Sequence, residues 1–99
     1  MLVHTVLFWL KEDLDDAQRS AFHEALEALS GIAAAAKVYI GTPAETPKRP
    51  TIDDTYDFCL TVLLQDMEAH DAYQLDPLHT AFLEKNRLLW KRVQIYDAA

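Results

Sequence analysis

Apolar positions dominate the chain from its start. Leu2 to Leu10 (LVHTVLFWL) is rich in β-branched and aromatic residues and reads as a strand. His4, Val6, Phe8 and Leu10 fall on one face, and Val3, Thr5, Leu7 and Trp9 on the other. Both faces are largely apolar, whereas a strand buried on one side alternates apolar with polar. This strand therefore needs cover on both sides. Lys11 to Asp16 is a charged turn, with Asp13 or Asp15 placed to cap a helix. Phe22, Ala25, Leu26 and Leu29 then recur at the spacing of an amphipathic helix, and Gly31 is placed to end it. Ile32 to Ala36 fits either a helix or the approach to a strand. Lys37 to Gly41 is that strand.

Thr42 to Asp54 carries Pro43, Pro47 and Pro50 among charges, which predicts a long exposed loop suited to a rim or lid. Tyr56 to Leu64 is a third strand. Its Tyr56, Phe58, Leu60, Val62, Leu64 face is wholly apolar, and its Asp57, Cys59, Thr61, Leu63 face is mixed. Asp66 can cap a short helix, Met67 to Leu75. Asp76-Pro77 starts another, with Asp at the cap and Pro in the first helical position. That helix is expected to run to Trp90 and to bury Phe82, Leu83 and Leu89. Arg92 to Asp97 closes the pattern as a fourth strand.

The order β-α-β-β-α-β is that of a ferredoxin-like α+β fold, an antiparallel sheet with helices on one face. Nothing in the chain is left to cover the other face, where Val3, Leu7 and Trp9 lie. The economical cover is the same face of a second copy, which predicts a homodimer of sheets, a dimeric α/β barrel.

Length and charge narrow the picture. The 99 residues make one domain, 1–99, and half of them are apolar. A domain this small buries only about two-thirds of its unfolded surface, so a partner subunit helps. A formal charge of −7 argues against nucleic acid and against an anionic membrane surface. The apolar run Val6 to Leu10 is too short to span a bilayer, and no signal peptide is evident. The single cysteine, Cys59, excludes an internal disulfide and a multi-thiolate zinc site. It has no basic neighbour and reads as a packed residue. A cytoplasmic setting fits. No phosphate-cradling glycine loop is present, and no cofactor is called for.

The opening strand LVHTVLFWL, with His4 near its start, and the segment AYQLDPLHTAF resemble the stress-responsive A/B barrel (Dabb) family. The likeness extends through the helix Asp16 to Ser30, the KVYIG strand and the closing VQIYD. The spacing of Tyr73, Pro77 and His79 is its most specific part. The resemblance implies a dimeric α/β barrel with a pocket between sheet and helices in each subunit. In a plant cyclase of the family, a histidine and a tyrosine drive an aldol ring closure, and they match His79 and Tyr73. A second pocket histidine of that enzyme matches His4, and a third falls at Phe58. The polar complement is thus incomplete, and the same reaction is not implied.

The residues support related chemistry. His79 lies in the first turn of the helix opened by Pro77, where the positive helix end and burial both disfavour imidazolium. A neutral imidazole can serve as a general base. Tyr73 can hydrogen-bond a substrate carbonyl and steady an enolate. His4 shares the Val6–Phe8 face and can join them. Val6, Phe8, Phe22, Phe58, Leu60 and Phe82 are the expected pocket lining. Each polar residue also has a plain structural reading: a bonded histidine at a helix start, a core tyrosine, an orienting histidine. His4 and His79 without a third nearby ligand fall short of a zinc set. His23 and His70 sit among charged residues on helices and are expected to be exposed.

Three functions compete. One is a cofactor-free lyase, cyclase or isomerase acting on a small aromatic or keto compound. Another is a stress-related dimer that binds a ligand without chemistry. The third, a cofactor-independent monooxygenase, rests on fold analogy alone.

Overall fold

The computed structural model describes all 99 residues. Strand β1 (Leu2–Leu10) is followed by helix α1 (Asp16–Ala28) and a 3-10 turn over Leu29–Gly31. Strands β2 (Ala35–Gly41) and β3 (Phe58–Leu64) come next, then helices α2 (Met67–Leu75) and α3 (Pro77–Asn86), and strand β4 (Trp90–Ala98). The sheet order is β2-β3-β1-β4 and every neighbouring pair is antiparallel. This is the ferredoxin-like α+β arrangement, with the second helical stretch broken in two. No helix is long and apolar enough to cross a membrane.

Local chemistry explains the boundaries. Asp15 caps α1: its side chain accepts from Gln18 N at 2.8 Å, and Gln18 Oε1 accepts from Asp15 N at 2.9 Å. This capping box satisfies two amides that the helix leaves free. Asp13 has no such role. Gly31 does not act as a left-handed cap, since no residue has positive φ; the chain leaves α1 through the 3-10 turn. Helix α3 stops at Asn86 and does not reach Trp90. Asn86 Nδ2 donates to Phe82 O at 3.0 Å, and Leu89 N donates to Asn86 O at 2.9 Å, a tight turn that frees Trp90 to pair with Leu10. Leu83 is 39% exposed and not part of the core, whereas Leu89 packs against its edge.

The core lies between the helices and one sheet face. Val6, Phe8 and Leu10 from β1, Phe58 to Leu64 in alternation from β3, Phe22, Leu26 and Leu29, and Tyr73 and Phe82 form one cluster. Asp57 braces the corner where β1 ends. It accepts from Leu10 N at 2.7 Å and pairs with Arg19 of α1 at 3.0 Å.

The back of the sheet differs from the greasy surface expected. Trp9 is only 6% exposed within a single chain. Its Nε1 donates to Thr55 Oγ1 at 2.9 Å, and Arg92 stacks over its ring at 4.0 Å. Thr55 is in turn held by Asp53. The end of the long loop thus covers Trp9 on the side away from the helices. Strand register places Tyr39, Thr61, Thr5 and Tyr96 in one row across this face, with Val3 and Leu63 in the next and Leu7 and Cys59 on the other side. Leu7 and Val3 are half-buried, while Tyr39 and Tyr96 are exposed.

Candidate functional site

Helices α2 and α3 do not close fully over β1 and β4, and a cavity of about 160 Å³ remains beneath them. Val6, Phe8, Leu60, Phe82 and Trp90 supply apolar wall, and His4, Tyr73, Gln74 and His79 supply its polar groups. Leu83, Val93 and Ile95 also line it and are partly exposed, which places the mouth at the β4 edge.

The Asp76-Pro77 break positions the two central residues. Asp76 ends α2 through its own N–H to Tyr73 O and opens α3 by accepting from Leu78 N at 2.9 Å. Pro77 occupies the first turn, where a missing N–H costs nothing. Tyr73 thereby sits in the last turn of α2 and His79 in the first turn of α3. Their ring centroids are 5.0 Å apart. The His4 ring, from β1, lies 5.9 Å from that of Tyr73.

All three residues are buried, with Tyr73 wholly so. Tyr73 Oη and His79 Nδ1 have no hydrogen-bond partner among protein atoms. Buried polar groups are nearly always paired, so two unpaired ones beside one cavity point to a polar occupant. Burial lowers the His79 pKa below its ordinary value, and the nearby His4 adds to this; Asp76 and the Gln74 backbone oppose it without prevailing. Burial pushes the Tyr73 phenol up to about 12. At neutral pH the pair is therefore a neutral imidazole beside a protonated phenol, an acceptor and a donor.

His4 is anchored from the other side. Its Nδ1 lies 2.5 Å from Asp97 Oδ1, and a carboxylate can only accept, so Nδ1 carries the proton. The pairing of His4 with Asp97 across β1 and β4 sets this contact. His70 was expected to be exposed, but its side chain is only 18% accessible and its ring packs edge-on to His4 at 5.6 Å. It stands one helical turn before Tyr73, and that spacing is the signal that places both on one face. Asp97 carried no signal short of the strand register.

Two expected lining residues do not line the cavity. Phe22 and Phe58 stack on each other at 5.6 Å inside the core, and Phe22 separates the cavity from Phe58 by packing on Phe8 and Phe82. The ring of His23 lies over Phe58 on the outside and its Nε2 pairs with Glu27, as suits an exposed residue. No residue of the Thr42–Asp54 loop lines the cavity. Trp90 was missed because β4 begins there and not at Arg92, whereas Val93 and Ile95 lay within the expected strand and register with Phe8 and Val6 is what turns them to the cavity.

The sheet order and the sheet–helix cavity define a ferredoxin-like α+β protein. Residues 2–99 match the model of the Stress responsive A/B Barrel Domain, and the chain belongs to this Dabb family. A Dabb family protein from Mesorhizobium loti MAFF303099 superposes with a TM-score of 0.79 at 24% identity, over 99% of this chain and 94% of that one. A dimeric ferredoxin-like protein from Thermobifida fusca YX gives 0.80 at 21% identity, over 99% and 89%. A hydroxynitrile lyase from Passiflora edulis gives 0.81 at 15% identity, over 98% and 90%. Comparison with curated proteins gives no match.

Proposed function

We propose that this Dabb protein is a homodimeric enzyme that performs acid–base chemistry on a small carbonyl compound. The observation that carries the reading is the pair of buried, unpartnered atoms, Tyr73 Oη and His79 Nδ1, beside one apolar cavity. Buried side-chain polar atoms are paired in the large majority of cases, so two left free side by side favour a polar occupant.

In this reading the neutral imidazole of His79 takes an acidic proton from the carbon next to the carbonyl group. The Tyr73 phenol donates a hydrogen bond to the carbonyl oxygen, where negative charge gathers as the proton leaves. Its raised pKa keeps that proton on Tyr73 throughout. The imidazolium of His79 then returns its proton to the product or leaving group. His4, held by Asp97, orients the polar end of the substrate. No bound cofactor is needed for these steps. The hydroxynitrile lyase on the same fold supports a lyase as the reaction class.

Volume limits the substrate. A cavity of about 150 Å³ holds a benzene ring, and the one here is of that size. The apolar wall and the open mouth suit a single-ring aromatic aldehyde or ketone. The test is deuterium exchange at the acidic carbon of small aryl ketones and β-keto compounds, followed by proton NMR. The expected result is exchange catalysed by the wild type and lost in His79→Ala. Exchange that survives in His79→Ala would remove the base from this reading.

The dimer forms through the back of the sheet. The exposed rings of Tyr39 and Tyr96 flank Thr5 and Thr61, with Leu7, Val3 and Leu63 beside them. Exposed tyrosines around an apolar centre are typical of protein interfaces. The ferredoxin-like neighbour from Thermobifida fusca is dimeric, which supports a dimer here.

A further inference from the structure

At the outer wall of the cavity stands a cluster that the acid–base reading barely uses. His4, His70 and Asp97 each present a ligand atom, and these atoms lie within 4.8 Å of one another. They come from three elements: β1, α2 and β4. Two imidazoles and a carboxylate suit zinc and its neighbours among the first-row divalent ions. Asp97 pairs with no group except His4, so no lysine or arginine neutralises it. His4 is 3% exposed and fixed opposite Asp97 by strand register, which holds two donors in place beforehand.

The surroundings of His70 point the same way. Its Nδ1 lies 3.1 Å from Asp71 Oδ1. The carboxylate accepts the Nδ1 proton and leaves the lone pair on Nε2. An acidic residue that fixes the tautomer of a histidine in this way is the usual companion of a metal ligand.

We propose that His4, His70 and Asp97 bind one divalent transition-metal ion per chain. Binding replaces the contact between His4 Nδ1 and Asp97 Oδ1, and a neutral imidazole that ligates through Nδ1 carries its proton on Nε2 instead, with no net release. With three protein donors, a coordination position stays open to water or to an oxygen of a small ligand. The ion joins the start of β1 to the end of β4 and to α2, and it stabilises the fold because the unfolded chain does not assemble the site. The site shares only His4 with the cavity. It goes beyond the acid–base reading, and either can fail without the other.

Cobalt(II) titration of the full chain tests this through visible absorption and thermal unfolding. Saturation at one ion per chain is expected, with d–d bands of protein-bound cobalt and a higher Tm. His70→Ala and Asp97→Asn should each weaken binding by roughly 100-fold, and Asp71→Asn by about 10-fold. His23→Ala, at an exposed surface histidine, should leave it unchanged. Asp97 is partly exposed, so its variant keeps the test sound if His70→Ala folds poorly. Absent cobalt bands in the wild type would overturn the proposal. So would loss of binding in His23→Ala with retention in the folded Asp97→Asn protein.

Discussion

Removing the Tyr73 hydroxyl should make the protein more stable and less useful. In Tyr73→Phe the ring keeps its shape and its fully buried place, and only Oη disappears. No protein hydrogen bond is lost, because Oη makes none. A buried polar group without a partner costs about 1–3 kcal/mol, and removing it relieves that cost. The lost dispersion contacts of one atom are worth only tenths, at about 0.1–0.2 kcal/mol each. A net gain of about 1 kcal/mol is expected, which raises Tm by about 4–8 °C for a domain of this size. Alkaline pH gives a second reading of the same group. The Tyr73 pKa is about 12 in the folded chain against 10.0 ordinarily. A raised folded pKa means stability fully present below pH 10 and lost as pH rises from there towards 12. Two pKa units correspond to about 3 kcal/mol. Urea unfolding at fixed protein concentration, from pH 7 to pH 12, measures both effects. The wild type should lose that stability above pH 10, and Tyr73→Phe should not. A variant less stable than the wild type by ~1 kcal/mol at pH 7 would mean that the hydroxyl has a protein partner after all.

The other predictions concern charge, corner and interface. His79 has a folded pKa below its ordinary 6.5, so the unfolded chain binds the proton first. Stability should fall as pH drops below 6.5 and level off under the folded pKa, and kcat/KM should rise with pH through an apparent value below 6.5. His79→Ala should unfold within ~1 kcal/mol of the wild type by urea; a larger loss would make His79 a structural residue. Asp57→Ala strands the buried Leu10 N–H and breaks the pair with Arg19, and should cost about 2–3 kcal/mol by the same assay. Leu7→Lys places a charge in the middle of the sheet's back and should yield monomers by light scattering, with Trp9 fluorescence little changed because its cover is internal. Dimers that survive Leu7→Lys would put the interface elsewhere.

Much of this architecture was legible because each element carries its own local signal. The two-sided apolar strand, the stripe from Phe22 to Leu29 and the Asp76-Pro77 break are all short-range patterns, and each marks a real boundary or face. Tyr73 and His79 were legible for the same reason, being six residues apart across one break. What escaped depends on contacts between distant segments. Asp97 meets His4 only through strand pairing, and Thr55 covers Trp9 from a loop with no periodicity. His70 is flanked by charged residues, which suggested solvent, yet its position a turn before Tyr73 turns it to the sheet. Phe58 seemed a pocket residue because it shares a face with Leu60. Phe22 stands between it and the cavity, and no spacing rule reveals which aromatic ring fills a core.

A crystal soaked with acetophenone puts the central claim to its most direct test. The carbonyl oxygen is expected within about 3 Å of Tyr73 Oη, with the methyl carbon turned to the His79 imidazole and the ring among Phe8, Leu60 and Trp90. A ligand bound only outside the cavity, or one whose oxygen points away from Tyr73, would contradict it.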